Sequence, residues 1–307
     1  MALPNTGPLT MTQIASEFPD TAPYSLSEFY RGGGKVPNTP GNTAVPTSGQ
    51  IAIGNFYGTQ NRSAITLTIS GNTLNYNLYN SATANPGYVA GSTDVTLNIN
   101  GGVNVGSNST GSYAMAVPSQ FNPADVIVIN NQGTIIGRGG DGGLGGGVNS
   151  GSTGGGGAGG AIQVSRPVTI NNVGTLAGGG GGGGGGAFRL FSVNPKTTFQ
   201  FPGGGGGGGA GYNAGSGGSS KDGLPNSANP GQSGSINGGG AGGNAYYYSN
   251  PNTGGGPGGP GGGRGAGGSA GTPGNSPGSP GGSAGQYLNG SPYVTWQSTG
   301  TRQGGVS

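Results

Sequence analysis

Alternating or continuous apolar positions predict four short strands in the first half of the chain. The segments are residues 64–70, 73–78, 94–100 and 126–129, with Gly-Asn or Gly-Gly pairs among the residues between them. Successive side chains of a strand point to opposite faces, so such segments can bury one face against a core. The pattern predicts a small β core, antiparallel or β-helical, over residues 61–136.

A different spacing occurs in the first sixty residues, where apolar positions recur two and then three residues apart. The two full copies are Leu9, Met11 and Ile14, then Ile51, Ile53 and Phe56, and a shorter copy ends at Phe29. Alternation followed by a three-residue step predicts a short strand leading into one helical turn, with Ser or Thr as a cap. We therefore predict a module of repeated motifs over residues 1–60.

A second repeat leads into the glycine-rich part of the chain. Residues 129–137 and 170–178 share six identities in nine positions. Both copies run directly into glycines, and the second precedes the uninterrupted run 178–186; a further run occupies 203–209. Repetition of this kind indicates architecture rather than a linker.

The composition allows two interpretations of these runs. With 81 Gly and 22 Pro in 307 residues the chain has the Gly and Pro content of low-complexity sequence, but its 6% of charged residues is low for a solvated coil. We predict a bundle of polyproline II helices, which have three residues per turn and leave their backbone groups free to pair with neighbours. A flexible Gly/Ser coil is the alternative, and it does not explain why strand motifs feed the runs.

The residue inventory limits the chemistry. The chain has no Cys and no His, which excludes disulfides, zinc sites built on those ligands, thiol nucleophiles and imidazole bases. Lys and Arg are dispersed, so we expect no nucleic-acid partner. The four acids beyond residue 60, Asp94, Asp125, Asp141 and Asp222, are isolated in sequence. We predict a protein that is not an enzyme and has no cofactor, with carboxylate-pair glycoside cleavage as the weaker alternative.

Candidate binding residues lie in the segments between the glycine runs, because the runs have no side chains to offer. Aromatic residues set among Ser, Asn and Gly give large contact areas at low entropic cost. The candidates are Phe188, Arg189, Phe191, Lys196, Tyr212, Tyr246, Tyr247 and Tyr248. Phe199 and Phe201 alternate just before a glycine run and are expected to form a strand packed on the core. Arg138 and Asp141 are expected to form an ion pair or backbone hydrogen bonds at the mouth of the bundle, with a binding role as the alternative.

The order of these motifs resembles that of the receptor-binding adhesins at the tips of long tail fibres of T-even-type bacteriophages. The resemblance rests on residues 137–142 and 169–178 with the glycine motifs that follow, and it covers about residues 126–285. It implies a sandwich of polyproline II helices whose intervening loops gather at the distal end and bind outer-membrane proteins. Residues 1–60 and 294–302 are similar to segments of tail and tail-tip proteins of other phages.

The resulting expectation is a mainly β and irregular fold. We predict an attachment module (1–60), a β domain (61–136), a glycine-rich bundle with variable distal loops (137–285) and a C-terminal strand or tail (286–307). The protein would be a virion adhesin of the tail fibre or tail tip, made without a signal peptide. It would attach to other tail proteins through residues 1–60 and bind a bacterial surface protein or glycan; fibre symmetry suggests a homotrimer. A purely structural virion protein, a connector or decoration protein, is the alternative.

Overall fold

The chain forms two compact units, and most of its regular structure is β-strand. The computed structural model describes residues 2–148, 150–220, 228–246 and 254–307. The first unit comprises Met1–Thr68, Leu78–Asn98 and Ser119–Val128; the second comprises Ile69–Asn77, Ile99–Pro118 and Ile129–Ser307. The expected mainly β and irregular class is confirmed. The predicted domain limits at residues 60, 136 and 285 stay predictions.

The helices of the described residues are short. They are the α-helices α1 (Met11–Glu17) and α2 (Leu78–Thr83) and the 3-10 turns Leu26–Glu28, Pro40–Asn42, Ile53–Phe56 and Ser291–Tyr293. The strands are β1 (Ser63–Ile69), β2 (Thr73–Leu74), β3 (Tyr76–Asn77), β4 (Thr93–Ile99), β5 (Asn104–Gly106), β6 (Tyr113–Val117), β7 (Val126–Asn131), β8 (Thr134–Ile136), β9 (Gly160–Val164), β10 (Val168–Asn172), β11 (Thr175–Ala177), β12 (Arg189–Asn194), β13 (Thr197–Phe201), β14 (Gln286–Asn289), β15 (Val294–Ser298), β16 (Thr301–Gln303) and β17 (Gly305–Val306). Strands β1, β4 and β7 run across the limits of the two units.

The repeats at the N-terminus are three copies of one capped helical turn in the first unit. In each copy the backbone N–H at the start of the turn donates to a side chain three residues later, the reverse bond of a capping box. The pairs are Thr10 to Gln13 (2.8 Å), Ser25 to Glu28 (3.1 Å) and Ala52 to Asn55 (2.7 Å). The next residue of each copy, Ile14, Phe29 or Phe56, is fully buried in one shared core. The predicted helical turn is confirmed; the strand expected before it is absent from the described part of residues 1–60.

The second unit contains a parallel β-helix. Two of its sheets have five parallel strands each, in the orders β2-β5-β8-β11-β16 and β3-β6-β9-β14-β17. Strands that follow one another in sequence lie in different sheets, and each sheet gains one strand per turn of the chain. The β-helical alternative for the β core is therefore the one observed.

Columns of equivalent residues fill this β-helix. Val105, Ile135 and Leu176 are in register on adjacent strands and are fully buried. At a corner, the buried Asn131 side-chain amide donates to the Asn172 side-chain oxygen at 2.7 Å. Both asparagines belong to the repeated nine-residue motif, so the sequence repeat corresponds to one edge of the β-helix.

The C-terminal strands form the last turn of the β-helix. Trp296 is in register with Ile170, Arg302 with Leu176, and Val306 with Leu288. The Arg302 guanidinium lies over the rings of Trp296 (5.2 Å) and Tyr287 (5.7 Å). A cation on aromatic faces thus covers the end of the apolar column, and a charge in this position discourages further strand pairing.

Glycine runs extend from the β-helix after β8 and after β11 and pack through their backbones. The N–H groups of Gly140, Gly143 and Gly146 donate to the carbonyl groups of Gly180, Gly183 and Gly186, at 2.8 to 2.9 Å. The bonded partner therefore recurs every third residue. The same step of three relates most neighbouring runs of residues 137–159 and 178–285 that the structure describes.

The longest glycine run is the most enclosed. Within the described part of the chain, residues 178–187 exchange backbone hydrogen bonds with six other runs: 137–146, 151–159, 203–210, 255–263, 266–272 and 279–285. Every position of the central run consequently faces the backbone of a neighbour. A Cβ atom on Gly183 would lie 1.9 Å from the carbonyl oxygen of Gly259, closer than any real contact. The surrounding geometry thus accounts for nine consecutive glycines.

Outer runs retain side chains where no neighbour is close. In run 137–146, Arg138, Asp141 and Leu144 occur three residues apart, and their carbonyl groups face run 151–159. The predicted ion pair is confirmed, since the Arg138 guanidinium lies 3.2 Å from the Asp141 carboxylate.

Two alanine substitutions test this packing. Gly183→Ala places a methyl group against backbone that cannot move independently, and we expect it to lower the free energy of unfolding by about 3 kcal/mol or more. Gly263→Ala is the matched control, because no atom lies within 4 Å of its Cβ position; we expect a change within about 0.5 kcal/mol. Thermal unfolding followed by circular dichroism measures both. Equal melting temperatures for the two variants would contradict the packing described here.

Candidate binding surface

The glycine runs have two ends, which carry different loops. We call the end next to β8, β11 and β14 proximal and the opposite end distal. At the distal end, backbone hydrogen bonds connect Gly146 to Gly186, Gly186 to Gly204, and Gly204 to Gly256, at 2.9 to 3.0 Å. Ala187 also donates to Thr272. The segments 188–202 and 273–278 therefore both extend from the distal end.

The first distal segment is a β-hairpin. Strands β12 and β13 pair antiparallel, with Phe191 opposite Phe199. In the turn, the Lys196 N–H donates to the Asn194 side-chain oxygen at 3.0 Å, an Asx-type bond that closes tight turns. Two large apolar residues of the hairpin face solvent: Leu190 is 45% exposed and Val193 is 56% exposed.

An aromatic stack anchors one side of the hairpin. Phe201 is only 1% exposed and stacks with Phe199 at 6.3 Å between ring centroids and with Tyr246 at 6.1 Å. The expected strand is confirmed as β13, and Phe201 is its buried residue. Tyr246, 45 residues later in sequence, thus belongs to the same surface.

Asn275 contacts the other side of the hairpin. Its backbone N–H donates to the Phe188 carbonyl oxygen at 3.1 Å, and its side-chain oxygen accepts from the Leu190 N–H at 2.8 Å. Asn275 and the exposed Leu190 and Val193 are not among the binding residues predicted from the sequence. The apolar positions of β12 could have been recognised from the sequence, whereas nothing in the sequence indicates the contact between segments 85 residues apart.

The predicted binding residues are brought together only in part. Phe188, Arg189, Phe191, Lys196 and Tyr246 lie at the distal end. Tyr212 lies at the proximal end, where its ring leaves no room for a Cβ on Gly106 of β5 (2.7 Å). Tyr247 and Tyr248 lie outside the described residues.

The Arg138 and Asp141 pair connects two outer runs. The Asp141 carboxylate also accepts from the Ser216 N–H at 2.8 Å and the Ser216 hydroxyl at 3.0 Å. Partial burial raises the pKa of Asp141, but the Ser216 hydrogen bonds and the Arg138 charge outweigh it and lower that pKa. The Asp141 carboxylate oxygens are thus bonded to Arg138 and Ser216 within the glycine runs. This ion pair is therefore a structural contact between two runs.

The structure also bears on metal binding and on membrane insertion. Among the described residues, no group of three or more Asp, Glu, His or Cys side chains could hold a metal ion. None of the helices in the same residues has the length and hydropathy needed to cross a bilayer.

Comparison with known proteins gives the class. A model of the family described as phage tail fibre adhesin Gp38 matches residues 64–307. The fold is similar to that in the crystal structure of the gp37-gp38 adhesin tip complex of the bacteriophage S16 long tail fibre. The TM-score is 0.50 and the identity 24%, over 85% of this chain and 88% of that one. No curated protein matches.

These findings define a receptor-binding adhesin of a phage tail fibre. The chain belongs to the phage tail fibre adhesin Gp38 family. The resemblance drawn from residues 137–142 and 169–178 is thereby confirmed, and the adhesin interpretation replaces the purely structural alternative.

The aromatic stack makes a prediction about stability. Phe201→Ala removes a fully buried ring, and we expect it to lower the free energy of unfolding by about 3 to 5 kcal/mol. Lys196→Ala, on the exposed turn of the same hairpin, should change it by no more than about 0.5 kcal/mol. Urea unfolding can be followed through Trp296, the one tryptophan of the chain. A Phe201→Ala variant as stable as the Lys196→Ala control would show that the stack does not anchor the hairpin.

Proposed function

We propose that this adhesin binds its bacterial receptor through the distal surface formed by hairpin β12–β13, Tyr246 and residues 273–278. The observation that carries the proposal is the exposure of Leu190 and Val193 on a hairpin whose base is buried at Phe201. Exposed apolar residues held on a rigid support are typical of interaction sites. The receptor would be a surface protein or a glycan.

The contact residues we propose are those of the distal end. From the sequence these are Phe188, Arg189, Phe191, Lys196 and Tyr246, with Tyr247 and Tyr248 as neighbours in sequence of the last. Leu190 and Val193 are added because of their exposure. Tyr212 is left out, since it packs at the opposite end of the runs.

The support for the distal loops is, we propose, a sandwich of polyproline II helices. Hydrogen-bonded partners that recur every third residue match a helix of three residues per turn. The positions of such helices are fixed by their neighbours, so the loops are held before the receptor arrives. Preorganised loops lose less entropy on binding.

Attachment to the fibre is assigned to the first sixty residues. This segment has its own buried core and lies entirely before the part matched by the family model, which begins at residue 64. The similar S16 structure is described as a complex of gp37 with gp38. We propose that residues 1–60 bind another tail-fibre protein and that the protein acts by binding, without catalysis. The homotrimer stays a prediction.

A pair of double variants tests the distal surface. Leu190→Ser with Val193→Ser removes the exposed apolar contacts, and we expect binding of the purified protein to intact host cells to weaken about tenfold or more, equivalent to about 1.4 kcal/mol. Leu74→Ser with Val173→Ser is the matched control, because these residues are 41% and 64% exposed elsewhere in the same unit. Flow cytometry over a concentration series gives the apparent Kd.

The binding results can be interpreted once both double variants have the melting temperature of the wild type. Weaker binding by the distal variant alone supports the proposed surface. Unchanged binding by the distal variant, or equal losses in both variants, would contradict it.

A further inference from the structure

We infer that Asn275 is a positioning residue that fixes the direction of the receptor-binding hairpin, so that the hairpin and residues 273–278 act as one specificity-determining unit. The inference rests on the proposed function of the distal surface. It concerns a residue far from the hairpin in sequence.

The first step is the arrangement of the two hydrogen bonds. The carbonyl group of Phe188 and the N–H of Leu190 point to the same side of β12, as alternate groups of a strand do. Asn275 satisfies both, through its N–H at 3.1 Å and its side-chain oxygen at 2.8 Å. One residue thereby replaces a neighbouring strand along the outer edge of the hairpin.

The second step is the rigidity of the support behind Asn275. Thr272 accepts from Ala187 and donates to Pro257, and Gly271 donates to Ser279. The segment therefore begins and ends on hydrogen-bonded runs. Gly274 lies so close to the hairpin that a Cβ there would be 2.5 Å from the Phe188 carbonyl oxygen.

The third step compares the two residues that hold the hairpin, Phe201 and Asn275. Phe201 buries a whole ring on one side of the hairpin and stacks with Tyr246. Asn275 contributes two hydrogen bonds near exposed residues, where water can replace a lost partner, so the loss of one bond has a small effect on stability. Loss of the side-chain bond should leave the fold intact but let the hairpin pivot about Phe201. Leu190 and Val193 would then reach the receptor in the correct direction only part of the time, which raises the apparent Kd in proportion.

The test compares Asn275→Ala, which removes the side-chain acceptor, with Asn275→Asp, which keeps an oxygen in nearly the same place. We expect Asn275→Ala to raise the apparent Kd for intact host cells five- to tenfold, with the melting temperature within about 2 °C of wild type. Its Leu190 amide should exchange with deuterium at least tenfold faster. Asn275→Asp should restore both values to within twofold. Asn237→Ala is the control, since the Asn237 side chain accepts from Arg264 at a proximal turn.

Each result is decisive. Normal binding or normal Leu190 exchange in Asn275→Ala overturns the positioning role. If both Asn275 variants lose binding together with stability, Asn275 is a folding residue and the inference is wrong. Weaker binding in the Leu190→Ser, Val193→Ser variant but not in Asn275→Ala leaves the proposed function intact and removes only this inference. Unchanged binding in both variants removes the proposed function as well.

Discussion

The close approach of backbones between glycine runs is the constraint on which the second unit depends. The carbonyl oxygen of Gly259 lies 1.9 Å from the place where Gly183 would carry a Cβ, and similar distances recur through the runs. At this separation the N–H groups of residues 179–187, which are all buried, reach carbonyl groups of neighbouring runs. Peptide groups buried without hydrogen-bond partners would be destabilising, and here neighbouring glycine runs provide those partners. A chain with 29% hydrophobic residues can therefore enclose a large interior.

The β-helix fixes where the glycine runs begin, which packed glycine backbones cannot do alone. Gly137 and Gly178 directly follow β8 and β11, whose residues are in register, so the two runs begin side by side. Their first hydrogen bonds continue that alignment, with the Gly137 N–H on the Ala177 carbonyl group. The side-chain core sets the starting points, and the backbone pairing extends the order outward. This coupling offsets part of the entropy that glycine loses on folding.

The sequence predicted those features that depend on local patterns. The strands near residues 64–70, 94–100 and 126–129, the Arg138 and Asp141 ion pair and the β13 strand at Phe201 follow from spacing and composition. The single strand predicted at 73–78 is instead two short strands, β2 and β3, which belong to different sheets. The last turn of the β-helix was harder to recognise, because Trp296 and Arg302 occupy positions that are apolar aliphatic in the preceding turn. The places of Tyr212 and Asn275 depend on which run neighbours which. The arrangement of neighbouring runs arises from contacts between residues that are distant in sequence. Because the runs are all glycine-rich, their sequences do not indicate which run packs against which.

A core built from backbone also explains why the distal loops contact one another. Glycine runs offer no side-chain pockets in which a loop residue could be buried. The side chains that hold the loops in place must therefore come from the loops themselves. Phe201 and Tyr246 stack across two loops, and Asn275 reaches the hairpin from a third. Exposed loop residues such as Lys196 can therefore change without disturbing the packed glycine runs, because the runs do not contact their side chains. The same property makes the loops interdependent: a substitution in one loop acts on the shape of its neighbours before it acts on the receptor.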